Sequence, residues 1–194
     1  MKRRMAGALA LLLLLAGCAQ TGPADQVLAR YGDKEITRAA VDSYRRQLVI
    51  ADAGLARGSD REIVDVILEN ILLYEEAERR GCTATQEEVD QWLEAVRMAY
   101  YDWPEEQGKQ PIDEYCAEAG LTAEEYFDLL AEQLPRTISR INVKNAVARE
   151  YCEAYGLEFT TVNPPIEVRN YVQDYIDSLL AAHADEIVYD EAVS

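Results

Sequence analysis

Apolar positions in this chain recur mostly with the period of a helix, and most regularly after the stretch SDRE at 59–62. Ile63, Val64, Ile67, Leu68, Ile71 and Leu72 follow at four-residue intervals, a broad apolar face suited to a central core helix. Ser59 and Glu62 have capping-box spacing, so that side chains of the first turn satisfy backbone N–H groups lacking an intrahelical partner. Gly81 suits a left-handed stop. Thr85 and Glu88 repeat the box ahead of Val89, Trp92, Leu93, Val96, Tyr100 and Trp103, and Pro104 ends that pattern. Thr122 and Glu125 form a third box, leading to Tyr126, Phe127, Leu130 and Leu134. Pro135 then kinks this helix or begins another, which runs through Ile138, Ile141, Val147 and Tyr151 towards Gly156. Behind Pro164 and Pro165, the positions of Val168, Tyr171, Val172, Tyr175, Ile176, Leu179 and Leu180 predict a last amphipathic helix.

Strand signals are confined to the two ends of this helical region. Val27, Leu28 and Tyr31 precede Gly32 and Asp33, and then Ile36, which predicts a short strand, a turn and a helix entry at Thr37. Near the other end, EIVYD at 186–190 has strand character and could pair with the opening strand. The expected fold is therefore mainly α, one multi-helix domain over residues 27–190 with a small two-stranded pairing of its N- and C-terminal segments.

The apolar run from Met5 to Ala16 has no period and follows Lys2, Arg3 and Arg4. It falls short of the roughly 20 residues that a membrane-spanning helix needs. A basic start, a short apolar centre and small residues after it form the pattern of an export signal. Leu15, Ala16, Gly17 and Cys18 resemble the lipobox of bacterial lipoproteins. That resemblance implies removal of residues 1–17, lipidation of Cys18, and a membrane-anchored domain facing outside the cytoplasm, on the extracellular or periplasmic side. An ordinary secretory signal with an incidental Cys is the alternative. Residues 18–26, with Gly and Pro and no periodicity, read as a lipidated tether. More than one acyl chain would make that anchorage durable, since each buried methylene contributes about 0.8 kcal/mol.

Charge narrows the partners. The chain has 19 Lys and Arg against 36 Asp and Glu, a net charge of −17. Such a surface has no basic face with which to displace counterions from nucleic acid. Of four cysteines, Cys18 is assigned to lipid, which leaves Cys82, Cys116 and Cys152 with at most one disulfide among them and three possible pairings. No C-x-x-C occurs, and neither a metal nor another cofactor is expected.

Catalytic constellations are nearly empty. His183, the single imidazole, falls in phase with the apolar stripe of the last helix and reads as a half-buried residue near a helix C-terminus rather than a general base. The pairs Glu75-Glu76, Glu87-Glu88 and Glu124-Glu125 invite a glycosidase reading, but neighbours on a helix point about 100° apart and two of the pairs sit in first turns, where acid is favoured. There is no phosphate loop, nucleophile elbow or calcium-loop pattern.

Three stretches in order, VLARYGDKEITRAAVDSYRR, REIVDVILENILLYEEAERRGCTATQEEVDQWLEAVR and IDEYCAEAGLTAEEYFDLLAEQL, resemble the SurA/PrsA-type chaperone module of exported foldases. The resemblance covers about residues 27–150, and the last helix with ADEIVYD is similar to the segment that completes the module. It implies a SurA N-terminal-like helical fold that binds unfolded or newly exported polypeptides. The full-length foldases carry a prolyl isomerase domain between these parts, whereas here only LEFTTVNPPI at 157–166 intervenes. No domain of roughly a hundred residues fits there, so no catalytic residue carries over and the chain is not expected to be an enzyme. Tyr100, Tyr101 and Trp103, at a helix end, are candidate client contacts, with packing of that end onto the core as the alternative. An accessory lipoprotein with one dedicated envelope partner is the second reading of function, and a prolyl isomerase the third.

Overall fold

The computed structural model describes residues 23–51, 55–105 and 109–193. Among them are helices α1 (Arg38–Ala51), α2 (Asp60–Arg80), α3 (Gln86–Asp102), α4 (Lys109–Ala119), α5 (Ala123–Tyr155) and α6 (Ile166–Ala182). Strands β1 (Val27–Tyr31), β2 (Lys34–Thr37) and β3 (Ile187–Tyr189) form one antiparallel sheet in the order β2-β1-β3. The mainly helical class is as the periodicity predicts. Cys18, the signal and the first part of the tether lie outside the described residues.

All three capping boxes form. Ser59, Thr85 and Thr122 each accept from the N–H three residues on, and Glu62, Glu88 and Glu125 each reach back to the cap backbone. Hydrogen bonds donated to each carboxylate by the backbone N–H and then by the hydroxyl of its cap residue hold the pKa of all three glutamates below the ordinary value. Gly81 ends α2 at φ 67°, the left-handed conformation that suits glycine.

The sheet has three strands where two were expected. Lys34–Thr37 pairs with β1 instead of serving only as a helix entry, with Tyr31 opposite Lys34 and Ala29 opposite Ile36. A single apolar residue in those four positions gave too little alternation to read as a strand. Gly32, at φ 57°, allows the two-residue turn between them. The expected pairing of the chain's two ends is present: Ala29 faces Tyr189 and Tyr31 faces Ile187 across β1 and β3. Ordered structure continues to Val193, which is buried in the same cluster as Leu28 and Val41.

Helix α2 is central, as its broad apolar face predicts. Its first half buries Ile63, Val64, Leu68 and Leu72 against the sheet and Val41 of α1. Its second half buries Leu73 and Ala77 against Val143 and Val147 of α5 and Ile176 of α6. Each fully buried Leu or Ile here contributes about 2 kcal/mol by leaving water. At the start of α2, Asp60 accepts hydrogen bonds from Arg38 and Arg45 of α1, and Arg45 also donates to the carbonyls of Ala56 and Gly58 at 2.9 and 2.6 Å. The Arg38 hydrogen bond, more than any other influence, holds the Asp60 carboxyl below its ordinary range.

Helix α5 runs unbroken through Pro135, so the two alternatives offered by the sequence reduce to one continuous helix. Buried Ser139, one turn on, donates to the Pro135 carbonyl at 2.6 Å and accepts from the Ala84 N–H at 2.9 Å, joining α5 to the α2–α3 connection. Helix α4, which the periodicity reading did not single out, packs Ile112 and Cys116 against Tyr100 and Phe127. No helix among the described residues is long and apolar enough to cross a membrane.

Candidate functional site

Of the three residues suggested at the end of α3, two face solvent and one does not. Tyr101 and Trp103 are 62% and 57% exposed, whereas Tyr100 is 8% exposed, packed edge-on to Phe127 with ring centroids 5.5 Å apart. The Tyr100 hydroxyl donates to Asp113 at 2.8 Å, and that bond, reinforced by burial, pushes its pKa up to about 12. Tyr101 donates to the exposed Glu124 at 3.1 Å. Tyr100 therefore serves the packing alternative, and the client alternative is left with Tyr101 and Trp103.

A more developed surface lies at the tip of the α5–α6 hairpin, where the sequence reading placed no site residue. Helix α5 ends at Gly156, left-handed at φ 67°, and the Leu157 N–H turns back to the Cys152 carbonyl at 2.8 Å. Thr160 closes the loop locally, its hydroxyl donating to the Val162 carbonyl and accepting from the Val162 N–H, both at 3.1 Å. Asn163 takes φ 49°, a conformation that Asn tolerates better than most residues. Pro164 and Pro165 then launch α6, with the Arg169 N–H donating to the Pro165 carbonyl at 3.1 Å.

This hairpin encloses a half-open cleft of about 200 Å³. Ala148, Phe159, Val168 and Val172 supply apolar lining, continuous with a buried cluster of Ala148, Cys152 and Val168. Lys144, Asn145, Thr160, Thr161 and Arg169 supply polar lining, and no Asp or Glu is among the residues that line it. Lys144 is held by Glu69 of α2 at 2.9 Å, and the Arg149 guanidinium lies 4.7 Å from the Phe159 ring centroid.

Beside the cleft, three tyrosine rings stack. The Tyr151 centroid is 4.4 Å from Tyr155 and 4.7 Å from Tyr171, both at shallow tilts. Partial burial, then the nearby Tyr155 and Glu167, raise the pKa of the Tyr151 hydroxyl, so it stays neutral at physiological pH. Tyr155, Val162 and Ile166 are 68%, 74% and 57% exposed. Apolar side chains held this open to water on one hairpin tip form an exposed apolar patch.

The sequence signal was present but divided. Tyr151 and Tyr155 recur at helical spacing on one helix and Tyr171 on another, while Phe159 and Val162 fall in a loop with no period, so only the fold brings them together.

The remaining candidates do not join this site. His183 caps the far end of α6, with Nδ1 3.3 Å from the Tyr31 hydroxyl and 2.9 Å from Glu186 Oε1, a bridge from α6 to β1. Burial, followed by a hydrogen bond donated to Glu75, pushes the Tyr31 hydroxyl up to about 12. Cys82, Cys116 and Cys152 are free thiols, the latter two buried. Among the described residues no group of three or more His, Cys, Asp or Glu is arranged to hold a metal ion. No family model, curated protein or solved structure matches this chain.

Proposed function

We propose that this chain is a membrane-anchored, extracytoplasmic, chaperone-like lipoprotein that binds unfolded or newly exported polypeptides and lacks a catalytic isomerase domain. The observation that carries the reading is the α5–α6 tip, where a cleft lined by Phe159, Val168 and Val172 adjoins the exposed Tyr155, Val162 and Ile166. Apolar contacts of this kind are tolerant of sequence, as a binder of many clients requires. The SurA/PrsA-like order of sequence elements supports the same reading and a SurA N-terminal-like fold. So does the connection at 156–165, too short for a separate isomerase domain.

The placement of the two ends suits a tethered binder. His183 holds the C-terminal end of α6 against β1, the strand next to the tether, and the cleft lies at the opposite end of that helix. The lining residues Val172 and Val168 precede His183 by 11 and 15 positions, about 16 and 22 Å along the helix at 1.5 Å per residue. The binding tip would thus stand away from the anchored end.

The test is suppression of aggregation of a chemically unfolded client by the full chain, compared with a variant carrying Tyr155→Ser, Val162→Ser and Ile166→Ser. Suppression falling about tenfold with the melting temperature held within a few degrees supports the proposal. Equal suppression by both proteins removes the tip from it. A single dedicated envelope partner is the second reading, favoured by the ordered stack of Tyr151, Tyr155 and Tyr171, since pre-set aromatic clusters are typical anchors of specific interfaces. Crosslinking in the native envelope separates the two: many exported proteins at low occupancy fit the first, one protein at equal stoichiometry the second.

A further inference from the structure

The α5–α6 cleft departs from the rest of the molecule in charge. In a chain of net charge −17, the residues lining it include Lys144 and Arg169 and no carboxylate. Lys144 is partly satisfied by Glu69 at 2.9 Å, but Arg169 is exposed and has no ion-pair partner among the described residues. Its charge is therefore available to a ligand. Asn145, Thr160 and Thr161 add hydrogen-bonding side chains beside an apolar lining. The combination of apolar floor and cationic rim is complementary to a short polypeptide segment in which an acidic side chain neighbours apolar ones. The cleft opens to solvent, so a segment of polypeptide can lie against it.

We propose that this cleft is a specificity subsite for an extended polypeptide segment, taking a client Asp or Glu side chain against Arg169 and Lys144 while an adjacent apolar side chain rests on Phe159, Val168 and Val172. The inference rests on the peptide-binding reading above and adds a preference that the apolar tip alone would not produce. The surrounding acidic surface repels anionic segments in general, so the selectivity is local to the cleft and operates only when the segment's apolar part is seated.

The experiment measures fluorescence anisotropy of two labelled extended peptides on the full chain in mild detergent. One carries a central Glu flanked by valines, and the other differs only by Gln at that position. The Glu peptide is expected to bind about threefold to fivefold tighter at low salt, the size of an exposed ion pair, and the ratio should shrink towards one at about 0.5 M salt. Arg169→Gln should bring the low-salt ratio close to one because the Glu peptide loses more affinity than the Gln peptide does, and Arg169→Lys should retain most of the preference. Because Arg169 is exposed, neither change endangers the fold. Equal binding of the two peptides by the unaltered protein, or a preference that survives Arg169→Gln, overturns the subsite while leaving general client binding intact. Binding of neither peptide overturns both.

Discussion

Tyr175 of α6 donates its hydroxyl hydrogen to the carboxylate of Glu76, deep in α2. Glu76 is only 5% exposed and also accepts from Arg79 and Arg80, each at 2.6 Å, while Arg80 continues to Glu150 of α5 at 2.7 Å. One carboxylate thereby joins three helices. The Arg79 hydrogen bond first, then those of Tyr175 and Arg80, outweigh burial and hold its pKa at about 2 against an ordinary 4.5. A carboxylate with a depressed folded pKa contributes stability above its ordinary pKa and loses it as pH falls towards the folded value. The Glu76 contribution, on the order of 3 kcal/mol, should thus be intact at pH 7 and fade between pH 4.5 and 2. Urea melts across that window should show the loss, and Glu76→Gln should be less stable at pH 7 with a flatter acid limb. Tyr175→Phe, which removes one donor, should cost about 1–2 kcal/mol.

The two ends of the aromatic run at α3 should respond in opposite ways. Tyr100→Ala empties a site in the Ile112, Cys116 and Phe127 cluster and should destabilise by about 3–5 kcal/mol. Trp103→Ala, at an exposed helix cap, should change stability by no more than about 0.5 kcal/mol. Thermal melts of the two variants check this directly. A large loss from Trp103→Ala would place that ring in the core.

Ser139 offers a test of a single buried hydroxyl. Ser139→Ala leaves the Ala84 N–H without its acceptor and should cost about 2 kcal/mol. Hydrogen exchange at Ala84 should speed up in the variant. Protection unchanged at that amide would mean another acceptor takes over.

Thiol chemistry should follow burial. Cys116 and Cys152 are buried, and burial raises the Cys116 pKa, with Asp113 and Glu125 adding to it. Half-exposed Cys82 should alkylate first in the native protein, and the other two only with unfolding. Mass spectrometry of a timed alkylation reads the order, and early modification of Cys152 would show that the α5–α6 hairpin opens readily.

The sequence was informative wherever structure is decided locally. Capping boxes at Ser59, Thr85 and Thr122 and the stop at Gly81 depend on side chains within four residues of the backbone they satisfy, and all were legible. Pairing of the chain ends was legible from Ile187, Val188 and Tyr189, whose β-branched and aromatic character is strong for so short a run. Two elements escaped: β2 contributes one inward apolar residue, Ile36, and α4 is short, with Pro111 in its first turn. Continuity of α5 across Pro135 is decided by packing, because a proline costs a helix interior about 3 kcal/mol that only tertiary contacts can offset. The cleft depends on Lys144, Phe159 and Arg169 coming from two helices and the loop between them, a juxtaposition no linear pattern encodes.

Strand β1 lies between β2 and β3 in the sheet, so its outer edge is bonded by nearly the last described residues of the chain. During synthesis β1 emerges about 150 residues before β3. Until Ile187, Val188 and Tyr189 have been delivered, β1 presents unpaired amides and carbonyls along one side, and Leu28 lacks the covering that Val193 helps to supply. The domain therefore cannot finish folding until residues 187–193 have been made, so its completion is timed by their arrival rather than by the first helices to form.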